Sequence, residues 1–248
     1  MRQFDYSYLA DRTWDNEIIS YISKIHEYKG KQELYLRQKP VELNRLIEIA
    51  KIQSTEASNR IEGIITTNAR LKQLVTDKTT PKNRDEEEIL GYRNVLNLVH
   101  ENYDVIPVRS NYILQLHRDL LKYTNLNYGG QFKTTPNEID MVLESGEKVV
   151  LFKPLEPYET PAAVDAICEE YQKALDKELV DELILIPCFL LDFLCIHPFN
   201  DGNGRMSRLL TLLLLYRSGY IVGQYISIEK AIADTKEAYY DALQKADR

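Results

Sequence analysis

The chain has 248 residues, 44% of them hydrophobic and 28% charged, the balance of a soluble globular protein built as one large domain or as one domain with an extension. A formal net charge of −7 leaves no chain-wide basic footprint for nucleic acid. The longest apolar run, residues 183–196, is too short to span a bilayer and contains Asp192, so no membrane partner is expected. The first residues, Met1-Arg-Gln-Phe-Asp5, lack the apolar stretch of a signal peptide. Cys168, Cys188 and Cys195 sit in apolar contexts and read as reduced core thiols, which together with the missing signal places the protein in the cytoplasm.

In chain order, apolar residues at helical spacing predict an N-terminal helix around residues 14–28. Leu43, Leu46, Ile47 and Ala50 fall at i, i+3, i+4 and i+7 and predict an amphipathic helix over about 43–63. Its continuation sets Ser54, Ser58 and Glu62 on one face, and Gly63 is a natural stop. Thr66-Thr67 caps a short helix over 68–75, and Thr79-Thr80-Pro81 breaks the chain. Asn83 caps the next helix, whose first turn gathers Asp85, Glu86, Glu87 and Glu88 at the positive end of the helix dipole. After Pro107, Ser110 is expected to cap a helix over 111–123 with the stripe Ile113, Leu116 and Leu120. His117 beside that stripe reads as a hydrogen-bonded helix histidine rather than a ligand.

The character changes at Asn127-Tyr-Gly-Gly130. Ile139, Met141 and Val142, then Val149, Val150, Leu151 and Phe152, flank the turn signal of residues 144–148 and predict a single β-hairpin. Pro154, Pro157 and Pro161 mark a loop, and helices are expected over 162–179, 182–196, 204–218 and 228–247. The expected fold is mainly α with one hairpin.

Between the third- and second-last of these helical runs lies His197-Pro-Phe-Asn-Asp-Gly-Asn-Gly-Arg-Met-Ser-Arg208. Gly202, Asn203 and Gly204 open a helix and turn backbone N–H groups toward one point, where the helix dipole adds positive character. Arg205 and Arg208 add guanidinium groups suited to phosphate oxygens. Asp201 supplies the hard carboxylate that holds Mg²⁺ beside phosphates. His197 has the ordinary pKa of a general base near neutrality. The combination predicts phosphoryl or nucleotidyl transfer. The Walker lysine loop and the dinucleotide fingerprint are both absent.

These residues resemble the Fic (filamentation induced by cAMP) family, whose motif H-P-F-x-[D/E]-G-N-G-R-x-x-R is matched at every specified position by His197 to Arg208. The resemblance extends over roughly residues 40–248 and implies a helical Fic fold with a β-hairpin flap over the active site. It implies transfer of AMP from ATP, with Mg²⁺, to a Ser, Thr or Tyr hydroxyl of a target protein. His197 would be the base, Asp201 the Mg²⁺ ligand, and Gly202, Asn203 and Gly204 the anion hole. Arg205 would hold phosphate and Arg208 the γ-phosphate. The segment Gly130-Gln-Phe-Lys-Thr-Thr is similar to the start of the family's flap, with Lys133 at a position usually held by arginine. Pro136, Asn137, Glu138 and Ile139 would be flap backbone near the nucleotide, and Tyr239-Tyr240 resembles a tyrosine pair near the adenine.

Upstream, Ser58-Asn-Arg-Ile-Glu62-Gly63 resembles the family's inhibitory motif [S/T]-x-x-x-E-[G/N]. It implies that Glu62 pairs with Arg208 and keeps the γ-phosphate out, with Ser58 steadying Glu62. The chain is then divided into an N-terminal region, 1–80, and a catalytic core, 81–248, with relatives continuing beyond that point. Alternatives kept open are removal of AMP, another phosphate-containing transfer, and a regulatory nucleotide-binding module. The target protein is not legible, and a homodimer stays open.

Overall fold

The computed structural model describes residues 4–38, 40–142 and 148–246, and among them ten α-helices and two β-strands. The helices are α1 (Asn16–Gln38), α2 (Pro40–Ile61), α3 (Asn68–Val75), α4 (Arg84–Asn102), α5 (Ser110–Leu120), α6 (Thr160–Asp176), α7 (Glu182–Ile196), α8 (Asn203–Arg217), α9 (Ile228–Asp234) and α10 (Lys236–Ala246). The strands β1 (Ile139–Val142) and β2 (Lys148–Phe152) pair antiparallel, with Met141 opposite Val149. Residues 143–147, which carry most of the predicted turn, lie outside the described residues.

The capping residues read from the sequence act as caps at two helices. Thr67 accepts the N–H of Arg70 at 3.3 Å, and Asn83 accepts that of Glu86 at 2.9 Å. Ser110 does not cap: it is the first residue of α5, whose N-cap is the extended Arg109 with no side-chain bond. That helix stops at Leu120 because Leu121 leaves the helical backbone at φ −97° and ψ 5°, its N–H still bonded to the carbonyls of His117 and Asp119. A second difference concerns the run expected to be continuous over 228–247. It breaks at Thr235, whose backbone leaves the helical region at φ −118° and ψ 31°, so α9 ends and α10 starts afresh.

The core explains the near-uniform apolarity of α7 and α8. Leu185, Ile186, Phe189, Phe193 and Ile196 of α7 are buried, as are Met206, Leu209, Leu210, Leu212 and Leu213 of α8, packed with Tyr92, Val95, Leu96 and Val99 of α4. Polar residues between these two central helices are therefore held on a rigid support. A smaller cluster of Leu71, Leu74 and Ile89 seats α3 on α4. The face of α2 that meets the body is made of small and polar residues, Ala50, Ser54, Ala57 and Ser58, which allow close approach. Among the described residues no helix is long and apolar enough to cross a membrane.

Gly91 of α4 is the contact point with the end of α5: a methyl group there would collide with the Leu120 carbonyl oxygen. Gly91→Ala is expected to destabilise the protein by about 2–3 kcal/mol, through overpacking that outweighs its better helix propensity, as read from the urea unfolding midpoint.

Candidate active site

The loop between α7 and α8 begins and ends on left-handed backbone. His197 closes α7 at φ 50°, and Gly202 opens α8 at φ 84°. Asn203 closes the loop on itself: its Oδ1 accepts the Phe199 N–H at 2.9 Å and its Nδ2 donates to the Phe199 carbonyl at 2.7 Å. Phe199 is fully buried and stacks on the His117 ring at 3.7 Å.

His117 then connects three segments. The Gly130 N–H donates to its Nδ1 at 3.1 Å, so the ring proton is on Nε2, which donates to the Asp201 carbonyl at 3.0 Å. Burial pushes its pKa down to about 4, in keeping with the neutral tautomer these bonds require. It is thus a hydrogen-bonded helix histidine, as its place beside the stripe suggested.

Lys133 and Asn137 brace the other side of the loop. The Lys133 N–H donates to the Pro198 carbonyl at 2.8 Å, and its Nζ donates to the Ile196 carbonyl at 3.0 Å and to Asn137 Oδ1 at 2.8 Å. Asn137 Nδ2 reaches the carbonyls of His197 and Phe199 at 3.3 and 3.0 Å. Burial draws the Lys133 ammonium down to about 8. Asn137 therefore serves the motif loop directly. Pro136 and Glu138 are exposed, with Glu138 3.5 Å from Lys153 Nζ, and Ile139 starts β1 opposite Phe152.

The half-buried ring of His197 has a pKa of about 4, lowered first by burial and then by the nearby Lys133 charge; the Leu194 carbonyl and Glu62 oppose the shift. Its Nδ1 is buried and makes no well-formed hydrogen bond. The imidazole is neutral at pH 7 and able to accept a proton.

Glu62 lies over the N-terminus of α8. Its carboxylate stands against Gly204, so close that a methyl group there would collide with Oε1. The same Oε1 accepts from Arg208 Nη2 at 2.7 Å. Arg208, almost fully buried, also donates from Nε to the Ser58 hydroxyl at 2.8 Å and from Nη2 to the Ser58 carbonyl at 3.0 Å. Residues 59–64 end α2 in a Schellman arrangement, with Ile64 N–H on the Asn59 carbonyl and Gly63 N–H on that of Arg60. This needs positive φ at Gly63, observed at 79°, and it fixes where the neighbouring Glu62 projects.

Arg205, expected to hold phosphate, lies behind Asp201 and is 1% exposed. Its Nη1 forms an ion pair with Glu88 at 2.7 Å, and its Nη2 lies 3.4 Å from Asp201 Oδ1. Nε and Nη1 meet no acceptor in hydrogen-bonding alignment. Glu88 also takes Arg84 Nε at 2.7 Å. Asp201, 36% exposed, presents its carboxylate at the open side. Among the described residues no three or more His, Cys, Asp and Glu side chains converge into a metal cage. One accessible carboxylate fits a Mg²⁺ that keeps several waters and shares phosphate oxygens.

Tyr239 and Tyr240 meet edge to face at 5.6 Å. Burial raises both phenols, and both sense the charges of Glu62 and Arg208, so α10 stands beside that pair. Lys236 Nζ donates to the Ile61 carbonyl at 3.2 Å and ties α10 to the end of α2. Glu88 was read in the sequence only as a first-turn acid, and nothing in its spacing signalled that it would bind an arginine in residue 205.

Residues 107–215 match the sequence model of the Fic/DOC family. The chain is similar to a Protein adenylyltransferase Fic from Culex quinquefasciatus, 30% identical over 216 residues, which are 82% of this chain and 38% of the relative. It is similar to one from Drosophila melanogaster, 27% identical over 206 residues, or 80% and 37% of the two chains. The chain thus spans less than two-fifths of these curated relatives. Among solved structures it resembles a Fic domain containing signaling protein from Bacteroides thetaiotaomicron, with a TM-score of 0.73 and 27% identity over 88% of this chain and 80% of that one. The fold is also that of a Fic family protein from Desulfovibrio desulfuricans, with a TM-score of 0.76 and 22% identity, covering 95% and 68%.

His100, His117 and His197 are each held near a pKa of about 4, chiefly by burial. The unfolded chain takes up protons as pH falls through about 6.5 while the folded chain stays neutral until about 4, so stability is full above pH 6.5 and declines below it. Between about pH 6.5 and 5, where these three histidines dominate, the unfolding free energy is expected to fall by about 4–5 kcal/mol; urea titrations across that window measure it.

Proposed function

We propose, from the match of residues 107–215 to the Fic/DOC family, that the chain is a protein adenylyltransferase held in check by Glu62. The observation that carries this reading is the Glu62 carboxylate seated over the α8 N-terminus and on Arg208, where an anionic ligand of the motif would sit.

The oxygen of a target Ser, Thr or Tyr attacks the α-phosphorus of ATP. The bond between that phosphorus and the bridging oxygen breaks, and pyrophosphate leaves. The hydroxyl proton passes to His197, which the buried site keeps neutral. Gly202, Asn203 and Gly204 direct backbone N–H groups and the helix dipole at the phosphates. Arg208 takes the γ-phosphate once Glu62 has left it. Arg205 holds the Asp201 carboxylate from behind. Asp201 would hold a Mg²⁺ ion, which would supply neutralisation of phosphate charge. Lys133, Asn137 and His117 keep His197 and Asp201 in register through the loop backbone.

The paired strands β1 and β2 read as a flap along which an extended target segment adds as a strand. Tyr239 and Tyr240, beside the Glu62–Arg208 pair, supply aromatic surface for the adenine. The reduced cysteines Cys168 and Cys188 suit a reducing cytoplasm.

A second reading rests on the field of Glu62 at His197. A carboxylate there can hold a water for hydrolysis of the AMP ester, so the same site would also remove AMP. Wild type added to an AMP-modified target tests this, with loss of the AMP in intact-mass spectra as its signature.

Glu62→Gly is expected to raise automodification by α-labelled ATP about tenfold or more, and adding His197→Ala should abolish the label. Intact mass would show added AMP and not phosphate. Label at wild-type level in Glu62→Gly across a range of ATP and Mg²⁺ would remove the inhibitory role, and label surviving His197→Ala would remove the base.

A further inference from the structure

Two arginines approach the Asp201 carboxylate from opposite oxygens. Arg205 Nη2 is 3.4 Å from Oδ1, and Arg84 Nη2, from the first residue of α4, is 3.6 Å from Oδ2. Glu88 joins them from behind: its Oε2 pairs with Arg205 at 2.7 Å and its Oε1 with Arg84 Nε at 2.7 Å. The four side chains form a ring of two positive and two negative groups. Their exposure differs sharply. Arg205 and Glu88 are buried, while the Arg84 side chain is 63% exposed.

This difference decides what each can do when ligand enters. Arg205 has no room to re-aim. The Arg84–Asp201 contact is long and open to water, so it is a weak pair that a competing ion displaces. The Nε bond to the buried Glu88 is short and survives that exchange, leaving the outer guanidinium edge of Arg84 at the mouth of the site with a free choice of anion.

Resting on the nucleotidyl-transfer reading above, we propose that Arg84 is a phosphate-binding residue of this site, supplied by α4 from outside the motif loop. A divalent cation at Asp201 displaces it from the carboxylate, and its guanidinium then takes the phosphate oxygens that share the cation. Glu88 is the hinge of the movement, holding Nε while the other end changes partner. In the resting chain Arg84 balances the charge of Asp201, as Glu62 balances that of Arg208.

The test measures binding and not turnover, in the Glu62→Gly background where the anion site is open. Calorimetric affinities are compared for Mg·ATP, for ATP in EDTA, and for adenosine, with Arg84→Gln and Arg84→Lys. Arg84→Gln is expected to weaken Mg·ATP about tenfold, ATP without metal clearly less, and adenosine less than twofold. Arg84→Lys keeps the charge without the fork and falls between. An unchanged Mg·ATP affinity in Arg84→Gln would overturn the proposal. So would an equal loss for adenosine, which would mean local damage, or an equal loss with and without metal, which would mean that Asp201 does not release Arg84. If Glu62→Gly binds Mg·ATP but transfers no AMP, the transferase reading fails and this binding result still stands on its own.

Discussion

The buried guanidinium of Arg208 is the interaction on which the site depends. A charge taken out of water must be paired, or its burial costs several kcal/mol. Here the partners come from 146 and 150 residues away, from Glu62 and Ser58 at the end of α2. The seat of α2 on the body and the charge balance of the motif are therefore one problem. An anion that takes Arg208 from Glu62 must also displace the carboxylate from the α8 N-terminus, because Glu62 occupies both places at once. Gly204 is what allows this: any larger residue would push the carboxylate off the helix end.

The geometry of the loop is set by hydrogen bonds to its backbone, and its charges by ion pairs. His117 holds Asp201 through the backbone, so that the carboxylate itself remains at the open side. Lys133 and Asn137 take the carbonyls of residues 196–199, which a helix end leaves without partners. The same burial acts on His197. With the nearby Lys133 charge it lowers the imidazole pKa to about 4, which leaves the ring neutral and also a weaker base than a free histidine.

Much of this was legible in the sequence. The apolar run that became α7 has the bounds expected from its composition, and the caps Thr67 and Asn83 act through the short-range bonds their residue types favour. The motif is where the proposed chemistry was read, from a histidine, a carboxylate, a glycine nest and two arginines in twelve residues, and the fold gathers these residues at one loop and helix start. The pairing of Glu62 with Arg208 followed from the family resemblance and is present in the geometry. What escaped was long-range. Glu88 is one of four acids in a row, and only the fold decides that it meets Arg205 while its neighbours face elsewhere. Lys133 was read at the start of the flap, and its sequence position did not show that its ammonium reaches a carbonyl 63 residues away. The break at Thr235 is a departure of the backbone from helical angles, which periodicity does not register.

The central claim is that Glu62 and the nucleotide compete for one place. Calorimetric titration of Mg·ATP into wild type, Glu62→Gly and Arg208→Ala tests it most directly. Wild type should bind at least about tenfold more weakly than Glu62→Gly, an advantage of ~1.4 kcal/mol or more. With Arg208→Ala added to Glu62→Gly, most of that gain should disappear. Equal affinities in wild type and Glu62→Gly would mean that the carboxylate over α8 is not in the nucleotide's way, and the competition would be ruled out.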